Sequence, residues 1–176
     1  NEASLFLDPR LKQLADPFHL PDMAVAVNRL FQARDTDEAL NIFGDYDVDG
    51  VTSTALLTLS MQKLGWKIHH YLPHRMDEGF GLSREAVQKC LRENSTSLIL
   101  AVDCGSTNVS TIDWLNKIDI DVIVIDHHQI EGQSPKAQAL VNPHVAQDES
   151  HDFRELCSVG LAFKLLHALV KEGRAR

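Results

Sequence analysis

The stretch FGDYDVDG, residues Phe43–Gly50, sets three aspartates at alternate positions directly after a short apolar run. Asp45, Asp47 and Asp49 must therefore share one turn, and a helical pattern begins just beyond them. Neighbouring carboxylates repel one another and resist burial, so a folded protein keeps them together mainly when a cation or strong hydrogen-bond donors neutralise them. The stretch therefore predicts a divalent metal site.

The size and composition of the chain fit one soluble domain. It has 176 residues, of which 44% are hydrophobic, enough for a proper core. No apolar run approaches the roughly 18 residues of a membrane span, and the first residues lack the order of a signal peptide. We expect a cytoplasmic protein without a membrane partner. A net charge of -8 should repel a phosphate backbone, so this chain alone should hold nucleic acid weakly.

The apolar pattern predicts strands that alternate with helices. Predicted strands cover residues 39–43, 67–72, 97–102, 121–125 and 139–141. Predicted helices begin after Pro21 and cover residues 51–64, 83–93, 109–117 and 153–171. This alternation is typical of an α/β fold, here a Rossmann-like parallel sheet of about five strands with helices on both faces. We expect an N-terminal arm and helix over residues 1–37 and the α/β domain over residues 38–176.

Polar residues follow three of the predicted strands. Besides the first acidic turn, Asp103 follows the third strand and Asp126-His127-His128 follows the fourth. The carboxyl ends of parallel strands share one edge of the sheet, where ligands bind, so these side chains should converge. Carboxylate and imidazole ligands suit Mn²⁺ or Mg²⁺ better than a thiolate-rich zinc site. Two ions sharing a carboxylate would favour phosphoester hydrolysis.

Each of these residues also has an ordinary structural interpretation. Asp47 and Asp49 could form an acidic turn with a helix N-cap, and Asp103 could cap the next helix. The His127-His128 pair could combine a buried core histidine with an exposed one. Their occurrence at successive strand ends favours a shared site.

Several motifs resemble the DHH phosphoesterase superfamily, and within it the RecJ-type single-strand-specific DNA exonucleases. The triplet that names the superfamily stands at Asp126-His127-His128. The other matching motifs are Gly44–Gly50, Glu78–Leu82, Val102–Gly105 with Thr107, the Asn142-Pro143 turn and Leu156–Lys164. Matches at Phe6–Pro9 and Asp16–Phe18 extend the resemblance over nearly the whole chain.

The resemblance implies roles for individual residues. It implies a metal-ligand set of three aspartates and one histidine, namely Asp47, Asp49, Asp103 and His127. Asp103 would bridge two Mn²⁺ or Mg²⁺ ions, and Asp45 and Asp126 would orient ligands through hydrogen bonds. His128 would stabilise negative charge at the scissile phosphate as an imidazolium. Arg75, by its loop position, would bind the substrate phosphate.

Two departures from the family pattern affect the expected activity. Some relatives carry a histidine where this chain has Phe43, so one ion would depend more on water. The family also adds a downstream aspartate ligand, a linker helix and a second domain that helps to clamp DNA. We therefore expect a fragment, truncated at its C-terminal end and weakly active or inactive by itself.

The predicted function is the catalytic core of a single-strand-specific 5′-to-3′ DNA exonuclease in DNA repair and recombination. Single-stranded DNA is the expected partner, with single-strand-binding proteins or helicases as possible recruiters. Two alternatives remain open at this point. One is a DHH hydrolase of short oligonucleotides, dinucleotides or pyrophosphate, although those relatives usually have a histidine-led first motif. The other is a non-catalytic DHH scaffold.

Overall fold

The computed structural model describes residues 7–8, 10–74, 81–130, 132–145 and 153–176. Its strands are β1 (Leu40–Gly44), β2 (Ile68–Tyr71), β3 (Leu98–Val102), β4 (Asp121–Ile125) and β5 (Ala139–Val141). Its α-helices are α1 (Met23–Asp35), α2 (Val48–Lys63), α3 (Arg84–Glu93), α4 (Val109–Asn116) and α5 (Ser158–Gly173). Two short 3₁₀ helices, Leu11–Gln13 and Pro17–His19, precede α1. No helix in the described ranges is long and apolar enough to cross a membrane.

The five strands form one parallel sheet in the order β2-β1-β3-β4-β5. The chain moves outward from β1 to β2 and then returns past β1 to β3, so the strand order reverses between β1 and β3. In open α/β sheets this reversal opens a crevice at the carboxyl ends of the strands. The predicted α/β fold is confirmed, and the acidic turn after β1 lies at the crevice.

The central strands are apolar throughout because both faces of the sheet are covered. Along β3, Leu98, Leu100 and Val102 join a core layer with α1, α2 and α5. Ile99 and Ala101 point into the opposite layer, with α3 and α4. All five side chains have no exposed surface. This explains why β3 is a continuous apolar run and does not alternate with polar residues.

Two helices begin at positions that differ from the sequence prediction. Helix α2 begins at Val48 and not at residue 51, because the Asp47 carboxylate caps it by accepting a hydrogen bond from Gly50 N at 3.0 Å. Helix α5 begins at Ser158 and not at residue 153. Phe153 instead lies in a turn, is buried in the core, and has Lys164 Nζ 4.9 Å above its ring. The later start brings the first turn of α5 next to β3.

The segment before α1 is fastened to α5. Lys164, itself buried, donates from Nζ to the Ala15 carbonyl at 3.0 Å. Lys171 Nζ pairs with Asp16 at 2.5 Å and lies 5.6 Å from the Phe18 ring centroid. Residues 15–18 therefore lie against α5.

Candidate metal and phosphate site

The turn after β1 is tight because glycines bound it. Asp45 Oδ1 accepts a hydrogen bond from Tyr46 N at 2.8 Å, and Asp47 Oδ1 accepts one from Gly50 N. A Cβ at Gly50 would overlap the backbone of Asp45, and one at Gly44 would overlap Thr54 Oγ1. Only glycine lets the first turn of α2 pack this closely against β1. The carboxylates of Asp45 and Asp47 are thereby held side by side.

Asp103 is the buried carboxylate of the site. It follows β3 with a left-handed backbone (φ 61°) and is 1% exposed. Its Oδ1 accepts a hydrogen bond from Ser158 Oγ at 2.5 Å, whereas its Oδ2 has no hydrogen-bond partner among the described residues. Burial, together with the nearby Asp47 carboxylate, raises the pKa of Asp103 to about 7. Burying a carboxylate in this way is costly unless a positive charge or hydrogen-bond donors compensate it.

The Asp47 carboxylate stays ionised more readily than that of Asp103. The backbone hydrogen bond from Gly50 is the largest cause that lowers the pKa of Asp47. The pKa shifts of these two neighbouring carboxylates are therefore opposite in direction, because Asp103 is desolvated and Asp47 has a backbone donor.

Asp126 orients His128 through hydrogen bonds. Its Oδ1 accepts hydrogen bonds from His127 N at 2.8 Å, His128 N at 3.2 Å and His128 Nδ1 at 2.6 Å. Its Oδ2 accepts one from Ser106 N at 3.1 Å. Burial opposes its ionisation, but the His128 imidazole and the other donors lower the pKa of Asp126. In turn, the hydrogen bond from Asp126 raises the pKa of His128 to about 9.

His127 points toward the aspartates. Its Nε2 is 3.4 Å from Asp103 Oδ1 and 4.0 Å from Asp49 Oδ2. Two groups of ligand atoms, each lying within 4.8 Å of one another, result in this part of the chain. One consists of Asp45, Asp47 and Asp103, and the other of Asp103, His127 and His128. Asp103 belongs to both groups.

The structure brings most of the predicted site residues together. Asp103 shares one ligand group with Asp47 and another with His127, so the ends of β1, β3 and β4 converge on it, as the strand-end argument expected. Asp49, whose side chain is one-third exposed, approaches this cluster through His127, while Asp45 lies inside the first ligand group. Arg75 and residues 76–80 of the glycine loop lie outside the described residues.

Three residues that support the site were not assigned a role from sequence. Ser158 bonds Asp103, and Ser106 bonds Asp126. Asn142 donates from Nδ2 to Ser106 Oγ and to the His128 carbonyl, both at 2.9 Å. Ser158 and Asn142 lie in matching motifs, and each stands at a strand or helix terminus, which is the only sequence signal of such a role.

An open cleft of about 220 Å³ adjoins the site. Its lining comes from residues that follow β1, β3 and β4 and from Gly81, which precedes α3. The lining residues are Asp45, Gly81, Asp103, Cys104, Gly105, Thr107, Asn108, Asp126 and His128. The cleft is thus bounded by acids on one side and by His128 on another, which leaves space for a small anionic group beside the carboxylates.

The sheet order and the strand-end residues define an α/β domain with a carboxylate and histidine site at its switch point. Residues 40–176 match the DHH family, N-terminal domain. The chain belongs to this family, so the predicted resemblance is confirmed.

Similar proteins include single-stranded-DNA-specific exonucleases. The RecJ exonuclease of Bacillus subtilis is 38% identical over 97% of this chain, and this chain spans 21% of that relative. A crystal structure of exonuclease RecJ bound to manganese matches 87% of this chain and 38% of its own, with a TM-score of 0.78 and 34% identity. A RecJ complex with Mn²⁺ from Thermus thermophilus matches 96% of this chain and 23% of its own, with a TM-score of 0.75 and 31% identity. The chain thus spans a minor part of the proteins it resembles.

Proposed function

We propose that this chain is the cation-binding part of a metal-dependent phosphodiesterase that degrades single-stranded DNA from its 5′ end. The observation that carries the proposal is Asp103, a buried carboxylate shared by two groups of ligand atoms at the switch point of the sheet. The relatives are single-stranded-DNA-specific exonucleases, and two similar RecJ structures contain manganese. DNA repair and recombination are the proposed setting.

The residues fit a divalent cation. Their donors are carboxylate oxygens and imidazole nitrogen, which suit Mn²⁺ or Mg²⁺, and a cation would neutralise the buried Asp103 Oδ2. We assign Asp47, Asp49, Asp103 and His127 as ligands, with Asp45 close enough to contribute. A bound cation would supply Lewis-acid activation of water and charge neutralisation at phosphorus.

His128 is the proposed contact for the scissile phosphate. Asp126 binds its Nδ1, which orients the ring and favours the imidazolium form. An imidazolium beside the cleft can donate a hydrogen bond to phosphate oxygens and stabilise the negative charge that develops there. Asp126 acts through His128 and does not need to reach the substrate. Arg75 stays a proposed phosphate ligand on its loop position alone.

The charge of the chain bears on its partners. At a net charge of -8, this part alone should bind single strands weakly, and proteins that expose or coat single strands are the proposed recruiters. We also propose a cytoplasmic location, because a DNA-degrading role requires access to DNA in the cell.

The test compares hydrolysis by this chain with and without Mn²⁺. Substrates are single-stranded and duplex oligonucleotides carrying a label at either end, a dinucleotide, and pyrophosphate. Asp103→Asn removes the shared carboxylate. Asp119→Asn is the matched control, because Asp119 is exposed and has a similar left-handed backbone (φ 58°).

We expect slow release of nucleotides from the 5′ end of single strands, dependent on Mn²⁺. Asp103→Asn should abolish it, and Asp119→Asn should not change it. Preference for the dinucleotide or pyrophosphate would contradict the exonuclease assignment. No Mn²⁺ binding by the wild-type chain, together with no hydrolysis of any substrate, would favour a scaffold.

A further inference from the structure

We infer that Ser158 is a positioning residue for Asp103, and that its hydroxyl fixes this carboxylate in the orientation that binds a divalent cation. The inference rests on the proposed function, since it concerns the same site. It assigns a role to a residue that comes from a distant part of the sequence, 55 positions after Asp103.

The hydrogen bond between the two residues is short and buried. Ser158 Oγ donates to Asp103 Oδ1 at 2.5 Å, and each residue is 1% exposed. Hydrogen bonds from a hydroxyl to an ionised carboxylate are shorter and stronger than those between neutral groups. Since both residues are buried, bulk solvent has little access to this bond, and we expect it to restrain the rotamer of Asp103.

The Ser158 hydroxyl makes the two carboxylate oxygens of Asp103 inequivalent. Oδ1 bonds Ser158 and faces His127 Nε2 at 3.4 Å. Oδ2, buried and without a hydrogen-bond partner in the described part of the chain, is left for a cation. Without Ser158 the carboxylate could rotate, and Oδ1 would become a second unsatisfied oxygen.

The position of Ser158 on helix α5 restrains where its hydroxyl lies. Ser158 is the first residue of α5, and Cys157 precedes it without a side-chain capping bond. The N-terminal end of a helix favours a nearby negative charge. Helix α5 packs along α2, whose first turn carries Asp49. The Ser158 hydroxyl therefore links a third element of the fold to the site formed by β1 and β3.

The test measures Mn²⁺ affinity directly, by electron paramagnetic resonance of free Mn²⁺ and by calorimetry, with the 176-residue chain. Ser158→Ala removes the hydroxyl, and Ser158→Thr keeps one. Ser53→Ala is the matched control. Ser53 is also a fully buried serine, on α2, but its Oγ has no hydrogen-bond partner among the described residues.

We expect Ser158→Ala to weaken Mn²⁺ binding by about tenfold or more, the usual effect of removing a group that orients a metal ligand. Ser158→Thr should recover most of the affinity, and Ser53→Ala should leave it unchanged. Urea unfolding with EDTA shows that each variant is folded before the metal is added. If Ser158→Ala is unfolded, the Ser158→Thr variant decides alone, and a loss of affinity in that variant would contradict the inference.

Two further results would overturn the inference, and they differ in what else they overturn. Wild-type chain that binds Mn²⁺ and a folded Ser158→Ala variant that binds it equally well would refute the role of Ser158 and leave the proposed metal site intact. Wild-type chain that does not bind Mn²⁺ would refute the metal site together with the inference.

Discussion

Replacing Asp126 by asparagine tests how the site holds His128. The carboxylate accepts hydrogen bonds on both oxygens, three on Oδ1 from His127 and His128 and one on Oδ2 from Ser106 N. An asparagine side chain keeps one oxygen. The better orientation places that oxygen toward the histidines, so the amide group faces the Ser106 N–H and leaves this buried donor unpaired. An unpaired buried donor costs about 1–3 kcal/mol of the free energy of unfolding.

The loss of the negative charge adds a pH-dependent part. The pKa of His128 rises from its ordinary 6.5 to about 9, which corresponds to about 3 kcal/mol at face value. Because the His128 side chain is 54% exposed, solvent screening reduces this to about 1–2 kcal/mol. Because the pKa of His128 is higher in the folded protein, its ion pair with Asp126 stabilises the fold fully below the unfolded-state pKa of 6.5. This stabilisation is lost as the pH rises through the folded-state pKa of about 9. Asp126→Asn should therefore cost about 2–5 kcal/mol near neutral or mildly acidic pH and about 1–3 kcal/mol above pH 9.

The assay is urea unfolding in EDTA at about pH 6 and about pH 10, with the free energy of unfolding compared between wild type and variant at each pH. Histidine titration by NMR should show the pKa of His128 falling toward its ordinary value in the variant. Asp121→Asn is the control, because Asp121 pairs with Arg29 and its side chain is 44% exposed. Its cost should stay within about 1 kcal/mol at both pH values. An Asp126→Asn cost that does not shrink at high pH would refute the argument from His128.

Three other predictions concern the turn, an ion pair and the core. Gly50→Ala should lower the free energy of unfolding by about 1–3 kcal/mol and weaken Mn²⁺ binding, because a Cβ there overlaps the Asp45 backbone. Gly173→Ala is the control, since its added Cβ makes ordinary contacts, and urea unfolding should show no loss of stability in this variant. The pKa of Glu38 is lowered by its hydrogen bonds from Arg29. Glu38 therefore stabilises the fold fully above its ordinary pKa of 4.5, and this stabilisation is lost as the pH falls through the lowered pKa. The free energy of unfolding of Glu38→Gln should fall less steeply with acid than that of wild type, and equal pH dependence would contradict this. Leu100→Ala, in the middle of β3, should cost about 2–5 kcal/mol in urea unfolding, and a cost below about 1 kcal/mol would show that the core around it collapses.

Much of the fold could be predicted from sequence, because strands and helices in this class have local signals. The apolar runs of β3 and β4, bounded by polar residues, predicted buried parallel strands, and β4 and β5 were placed at their observed bounds. Helix termini were less predictable where long-range packing decides them. Helix α5 begins at Ser158, and Phe153, which precedes it, is buried in the core; nothing in the local sequence specifies that burial.

For the site, the sequence by itself determined which residues could converge. Asp47, Asp103 and His127 follow parallel strands, and the carboxyl ends of such strands share an edge whatever their order. The sequence could not order the strands, because local patterns carry no information on which neighbours pair. The observed order brings the ends of β1 and β3 together at the switch point.

Only the tertiary structure decided how each carboxylate is held. The acidic turn after β1 predicted a metal site, yet its members differ: Asp47 also caps α2, Asp45 lies within a ligand group, and Asp49 approaches through His127. Asp103 is buried and accepts a hydrogen bond from a serine 55 residues away. Burial and hydrogen-bond partners control the charge of a carboxylate. Asp47 and Asp126 have donors within three residues, whereas the burial of Asp103 and its bond from Ser158 come from distant parts of the chain, so no local stretch of sequence could supply the environment of Asp103.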